Sequence, residues 1–338
     1  MKKGVVLLAG IFVIVLGLLN CSRQTEKKVL LNVAYDVIRD FYHDYNQAFR
    51  QQHANIVISQ SHGSASKQTL SVAKGLPADI VTLTQANDID LLVQKGLVAS
   101  DWAQRFPNNA TPFGSVMVFL VKKGNPKQIR DWQDLTRNDV RVVFANPKTS
   151  ANGRFAYLAA YSYAKQAFSG EAQQLDFIRR LLRNVPVLEA GARSATMVFT
   201  QRHLGDVLIT PENEAALAAQ RLDTQGFSVI YPSLTLYTPV LVAETTNTKI
   251  NGTHKLAQTY LQGLWSEQGQ ELAAQHHFRP SNAKIAQKFT ALFPKVNALD
   301  VNEQFGDWAT INQQHFADNA LFDQLYFQAC VYCNSQAD

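Results

Sequence analysis

Short apolar runs alternating with amphipathic helical stretches constrain this chain more than any other feature. Residues 29–34 (Val29-Leu30-Leu31-Asn32-Val33-Ala34) read as a strand. Residues 37–52 follow as a helix with Ile38, Phe41, Tyr45 and Phe49 near one face. Strands at 56–58 and 80–83 alternate with helices at 67–74 and around 90–93, a pattern that demands a parallel α/β sheet. The apolar run 116–121 ends at Lys122-Lys123-Gly124-Asn125-Pro126, and a second series begins. Its strands are expected at 140–144, 185–188 and 207–209, and its helices at 154–167 and 194–202. A strand at 239–243 leads back, and helices are expected at 251–274 and 283–293. The 338 residues exceed one compact core, so two α/β lobes are expected, 29–112 with 240–310 and 113–239. The chain should cross between them near 111–115 and 236–240, with a C-terminal helix and tail over 311–338.

The N-terminus carries a targeting signal. Lys2-Lys3 precedes an apolar run over 4–19, then Asn20-Cys21-Ser22, which reads as a secretory signal over 1–21. Leu18-Leu19-Asn20-Cys21 resembles a bacterial lipobox, with Cys21 the lipidation site, although Asn20 stands where a small residue is usual. Ordinary cleavage nearby and an uncleaved anchor are the alternatives. The apolar run is short for about 30 Å of hydrocarbon. The net charge of +5 comes from interspersed residues, without the clustering that nucleic-acid binding needs. The other cysteines, Cys330 and Cys333, lie in the last residues; one CxxC lacks half of a zinc site and is expected to be idle or locally paired.

Five loops after strands share one chemistry. Asp36 precedes the first helix, and Ser61-His62-Gly63-Ser64-Ala65-Ser66 the second. Asn146-Pro147-Lys148-Thr149-Ser150-Ala151-Asn152-Gly153, Ala190-Gly191-Ala192-Arg193 and Thr210-Pro211-Glu212-Asn213 precede three more. Each is small, polar and placed where a helix begins. Simple N-capping explains any one of them. Five together point to an anion held by free N–H groups and helix dipoles at the carboxyl ends of strands.

Asn146 to Arg154 resembles the NPK-[ST]-S-G-x-A-R signature of the bacterial periplasmic sulfate-binding proteins. The same family's pattern is found in Leu31-Asn32-Val33-Ala34-Tyr35-Asp36, Gln60-Ser61-His62-Gly63 with Lys67-Gln68, and Gly205-Asp206-Val207-Leu208-Ile209. It continues in Phe278-Arg279-Pro280 and Glu303-Gln304-Phe305-Gly306-Asp307-Trp308, so the likeness runs from about 30 to about 325. The resemblance implies a two-lobed periplasmic-binding-protein fold of type II, each lobe a mostly parallel sheet flanked by helices. It implies high-affinity capture of sulfate in the periplasm for a membrane ABC permease, by a monomer without cofactor or catalysis. It places ligand contacts at Asp36, Ser64, Ala65, Ser66, Ser150, Ala151, Asn152, Ala192, Thr210 and Pro211.

The family's donor-only pocket suits a fully ionised dianion and rejects hydrogen phosphate. This chain departs from it. Ala151 and Asn152 stand where the family has glycines, Ala65 where it has a binding serine, and Pro211 where it has a tryptophan whose indole donates. Ser64 or Ser66 is the expected substitute for the lost hydroxyl. Two donors at about 1.5–3 kcal/mol each correspond to roughly 10² to 10⁴ in affinity. Thiosulfate, an organic sulfonate or a sulfate ester would also suit the altered pocket. Three other constellations carry less. Adjacent His276 and His277 point apart on a helix, so no metal site is expected. Glu212 and Glu214 are read as first-turn caps rather than a catalytic pair, and Ser150 lacks a base other than His62. A hydrolase or a signalling receptor are the readings from other classes.

Overall fold

A computed structural model describes residues 27–53, 55–221 and 226–334 of the chain. The signal segment and Cys21 lie outside the described residues. β1 (Lys28–Tyr35) becomes buried along its second half and is one of the two inner strands of a four-stranded sheet. α1 (Arg39–Gln52) follows a 3₁₀ turn at Asp36–Ile38 and buries Phe41, Tyr42, Tyr45 and Phe49. Next come β2 (Ile56–Gly63), α2 (Ala65–Ala73), β3 (Ile80–Leu83) and α3 (Ala86–Gln94). β2 and β3 pair with β1 in parallel on either side, so their carboxyl ends align at one rim of the sheet.

A turn α4 (Pro107–Ala110), with Asn108 and Asn109 in the left-handed region, leads to the ten-residue β4 (Phe113–Lys122) of a second sheet. That sheet gains β5 (Val142–Ala145), then α5 (Ala151–Ala167) and α6 (Glu171–Arg183) pack beside it. β6 (Leu188–Glu189), α7 (Ala192–Gln201), β7 (Val207–Pro211) and α8 (Glu212–Arg221) continue the series. β8 (Phe227–Ile230) and β9 (Thr235–Pro239) complete this part. β5, β6 and β7 are mutually parallel, but β4 runs antiparallel to β7, β8 and β9, so the second sheet is mixed rather than mostly parallel. Buried on both faces, β4 shows no alternation from which a direction could be read.

β10 (Leu241–Glu244) joins the first sheet beside β3. Pro239 pairs with Gly114 in the second sheet and Leu241 with Leu83 in the first, so Val240 alone separates the two sheets there. Helices α9 (Asn247–Ile250), α10 (His254–Gln262) and α11 (Glu267–Gln275) follow, then β11 (Arg279–Pro280), which pairs with Gly114 and Phe113. Gly114 is fixed by this crowding, since a Cβ there would lie 2.1 Å from the Tyr237 hydroxyl.

Two apolar bodies result. One gathers Leu30 to Phe113 and Val240 to Phe278; the other holds two clusters on opposite faces of the second sheet, Met117 to Leu236 with Val301, Trp308, Ile311, Phe316 and Phe322 on one face and Val116 to Ala218 on the other. The stretch 240–310, expected in the first lobe, therefore divides. After α12 (Ala283–Lys288) and β12 (Ala298–Leu299), the helices α13 (Val301–Phe305) and α14 (Trp308–Ile311) pack on the second body. The Trp308 ring meets Phe155 edge-on at 5.4 Å, which accounts for the change of side. α15 (Leu321–Asn334) packs there too, so Cys330 sits exposed on a helix and not in an irregular tail.

Candidate functional site

The carboxyl ends of β1, β2, β5, β6 and β7 each deliver a helix start toward the boundary between the two bodies. Ala151 and Ala192, the first residues of α5 and α7, are buried within the first apolar body, although their helices belong to the second. The two lobes therefore touch at these helix starts.

Asp36 is the principal link between them. Its Oδ1 accepts from the Val37 N–H at 3.0 Å and its Oδ2 from the Arg193 N–H at 3.1 Å, so a first-lobe carboxylate caps a second-lobe helix. Burial raises the Asp36 pKa above the usual carboxylate range, against the pull of the Arg193 N–H and guanidinium. Gly191 permits this approach: a Cβ there would lie 2.5 Å from Asp36 Oδ2 and 3.7 Å from the Ser64 Cβ. Ser64, Asp36 and the Gly191–Arg193 turn thus meet at one point.

Ser64 precedes α2 without capping it through its hydroxyl, and its carbonyl accepts from Gln68 N–H at 3.0 Å. Ala65 is buried in the first core, and the Ser66 Oγ is buried without a partner. Ser150 caps α5, its Oγ accepting from Gly153 N–H at 3.4 Å while its own N–H donates to Asn146 O at 2.9 Å. Its hydroxyl proton is left to donate elsewhere. The N–H groups of Ala65, Ser66, Ala151, Asn152 and Ala192 occupy first-turn positions, where a helix offers no acceptor. Thr210 is buried with an unpartnered Oγ1, and Pro211 ends β7 opposite Met117 of β4.

Cross-links tie the loops together. Thr149 Oγ1 donates to Ala190 O at 3.0 Å, Asn213 Nδ2 to Val37 O at 3.4 Å, and Arg154 Nη1 to Gln85 Oε1 at 3.0 Å. Thr84 and Gln85 lie in a loop that sequence reasoning passed over, and Asn213 in one that it singled out without naming that residue as a contact. All three are buried, and Gln85 Nε2, Thr84 Oγ1 and Asn213 Oδ1 lack partners. Thr84-Gln85 follows an apolar strand and precedes a helix, the same signal that marked the other loops. Each buried polar group without a partner costs about 1–3 kcal/mol, and their concentration along one boundary is the mark of a site for a polar ligand.

The charges beside the site are paired with one another. Arg193 reaches Asp40 at 2.8 Å and Glu214 at 3.3 Å, and Arg221 reaches Asp40 at 3.0 Å. Burial pushes Glu214 up to about 7. Glu212 takes two bonds from Arg279, at 2.6 and 2.8 Å. The two glutamates are thus ion-pair partners, which the reading of them as simple first-turn caps overlooked. His62 is pushed down to about 4, chiefly by burial, and its Nδ1 lies 3.4 Å from Tyr35 O. His276 Nε2 bonds Asp44 at 2.8 Å, and among the described residues no three His, Cys, Asp or Glu side chains are grouped to hold a metal ion.

Known proteins share this architecture. The bacterial extracellular solute-binding protein family matches residues 30–279. A thiosulfate-binding protein of Pseudomonas aeruginosa is 47% identical over 305 residues, covering 88% of this chain and 92% of that one. A sulfate-binding protein of Escherichia coli is 43% identical over 303 residues, covering 88% and 92%. The structure of the sulfate-binding protein SubI from Mycobacterium tuberculosis superimposes with a TM-score of 0.77 at 32% identity, over 86% of this chain and 99% of that one.

Proposed function

Because the chain belongs to the bacterial extracellular solute-binding proteins, and among them to the sulfate- and thiosulfate-binding proteins, we propose that it captures a sulfate-type dianion between its lobes. The observation that carries this reading is the meeting of helix starts from both lobes, rich in buried donors without partners. In this reading Ser150 Oγ, a serine of the Ser64–Ser66 loop and the N–H groups of Ala65, Ala151, Asn152 and Ala192 hold the anion. Asp36 orients α7, and Thr210 and Asn213 supply remaining polar contacts. A dianion that only accepts hydrogen bonds is matched by donors and needs no proton.

A second reading is favoured by Ala65 and Pro211. They remove two donors and leave apolar surface, which suits the outer sulfur of thiosulfate better than a fourth oxygen. Calorimetry against sulfate, thiosulfate, molybdate, phosphate and an alkyl sulfonate decides. Sulfate or thiosulfate should bind one per chain far more tightly than phosphate. Phosphate binding as tightly as either would overturn the donor-only site.

Delivery to a membrane ABC permease, without catalysis, completes the reading. So do export through the 1–21 signal, anchoring at Cys21 in the periplasm and action as a monomer. No helix among the described residues is long and apolar enough to cross a membrane. The lobes we assign are 29–112 with 240–278, and 113–239 with the helices from Val301 onward.

A further inference from the structure

The loop that carries Ser150 also carries a cation, Lys148, that the reading of the cleft does not use. Residues 146–150 form a tight turn. Asn146 Oδ1 accepts from the Lys148 N–H at 2.9 Å, and Asn146 O from the N–H groups of Thr149 at 3.1 Å and Ser150 at 2.9 Å. Two contacts tie this turn to its neighbour at the site. The Asn146 N–H donates to Glu189 O at 2.7 Å, and Thr149 Oγ1 to Ala190 O at 3.0 Å. Both partners lead into α7, which itself begins at the site. The Lys148 side chain goes elsewhere. Its Nζ donates to Asp323 Oδ2 at 2.9 Å, Phe316 O at 3.0 Å, Ala317 O at 3.2 Å and Asp318 Oδ1 at 3.3 Å. An ammonium has three protons, so four acceptors leave none for an anion.

Those acceptors belong to the C-terminal helices. α14 runs on into a π turn over Asn312–Phe316. A helix end leaves its last carbonyls without N–H partners and with a negative partial charge, and Lys148 satisfies two such carbonyls, those of Phe316 and Ala317. Asp323, in the first turn of α15, accepts from the Asn319 N–H at 2.9 Å as well as from Lys148, which fixes the corner between the two helices. Phe316 is held from a second side. Its ring lies under the Arg154 guanidinium, 5.4 Å from the ring centre, and Arg154 Nε donates to Pro147 O in the same turn at 2.9 Å. Phe316 and Phe322 are buried in the core of the second lobe, so the corner is a fixed base. Lys148 and Asp323 are 26% and 32% exposed, which shields their pair better than an ion pair on the open surface.

We infer that Lys148 is a positioning residue for the anion: it fixes the Ser150 loop to the C-terminal helices and so sets affinity without touching the ligand. The inference rests on the reading that Ser150 and the first N–H groups of α5 hold the anion. Hydrogen bonds weaken steeply with distance and angle, so donors on a loop count only while the loop is held still. The contacts to Glu189 and Ala190 join the turn to a loop with ligand donors of its own, and the two could drift together. Lys148 ties it to helices that carry none of the proposed donors.

The test is calorimetry on the full chain with sulfate and thiosulfate, beside melting temperatures. Outer contacts that orient the ligands of metal sites are worth roughly 10- to 100-fold in affinity. Lys148→Met should accordingly weaken the tighter anion by about tenfold. Asp323→Asn should weaken it in the same direction, and the double variant no further than Lys148→Met alone, because both act through one contact. Lys148→Arg, which keeps the charge and its donors, should recover most of the affinity. Arg179→Ala is the structural control. It frees α15 from α6 at the Arg179–Gln328 contact of 3.0 Å, and should lower the melting temperature with affinity unchanged. Should Lys148→Met fail to fold, Asp323→Asn decides alone, since it leaves both carbonyl contacts in place. Full affinity in Lys148→Met, or in Asp323→Asn where that variant decides, would overturn the inference and leave the reading of the cleft standing. So would a loss of affinity that Arg179→Ala reproduces at an equal loss of melting temperature. A wild-type protein that binds neither anion would overturn both.

Discussion

At the residue scale, Ser150 and Gly191 stand at opposite ends of the site's demands. The Ser150 oxygen is occupied by a long bond from Gly153, which leaves its proton for a ligand. Ser150→Ala should therefore weaken anion binding by about 1.5–3 kcal/mol, roughly tenfold or more by calorimetry, and lower the melting temperature slightly through the lost α5 cap. Gly191 faces Asp36 too closely for a Cβ. Gly191→Ala should push the Asp36 carboxylate off the α7 N-terminus and weaken binding without touching the anion. A full-affinity Gly191→Ala protein would show that this contact is dispensable. Pro211 ends β7 in the core, where it brings no donor of its own. Pro211→Trp should raise sulfate affinity if the pocket keeps the family's shape. If instead the variant loses its best ligand, the space has been adapted to thiosulfate or a larger anion. These positions were legible because the loop around Ser150 carries a signature. Asp36 was legible as a polar residue at a helix start, but not as the cap of a helix 157 residues away, because nothing in local spacing encodes a contact across lobes.

At the element scale, α5 and α7 are each fastened to the first lobe by an arginine in the first turn. Arg154 links the Asn146–Ser150 loop, through Pro147 O at 2.9 Å, to Gln85 at the end of β3. Arg193 links α7 and the buried Glu214 of α8 to Asp40. The second fastening is sensitive to pH. Glu214 is protonated up to about 7 in the folded protein but only to about 4.5 when unfolded. The folded state thus keeps a proton that the unfolded chain loses, and stability falls as pH rises from about 4.5 to about 7. Glu214→Gln should flatten that part of a melting-temperature profile; an unaltered slope would assign the dependence to other groups. Strands and helices with strong periodicity, such as β1 and α1, were read correctly from sequence. β6 was not, because its two residues are a strand only through pairing with Phe144 and Ala145. The direction of β4 was equally hidden, since a run buried on both faces looks the same either way.

At the scale of the whole molecule, two bodies with separate apolar cores are joined by strands that lie side by side at Phe113–Gly114, Tyr237–Pro239 and Arg279–Pro280. Scattering from the full chain should show a smaller radius of gyration with bound sulfate or thiosulfate than without; identical radii would argue that the lobes do not close. Cys21→Ser should move the protein from the membrane to the soluble fraction with its affinity intact, whereas unchanged fractionation would remove the lipid anchor. The passage at Val240 has a mechanical consequence. A joint one residue long carries only two soft torsions, and its neighbours on both sides are held in hydrogen-bonded ladders. The Val240 N–H itself donates to Phe113 O at 3.0 Å, so the lobes can turn there only by small changes in those torsions. The occupied and empty receptors then differ by an angle more than by the shape of either lobe, and a docking partner that touches both lobes can measure that angle without ever contacting the cargo.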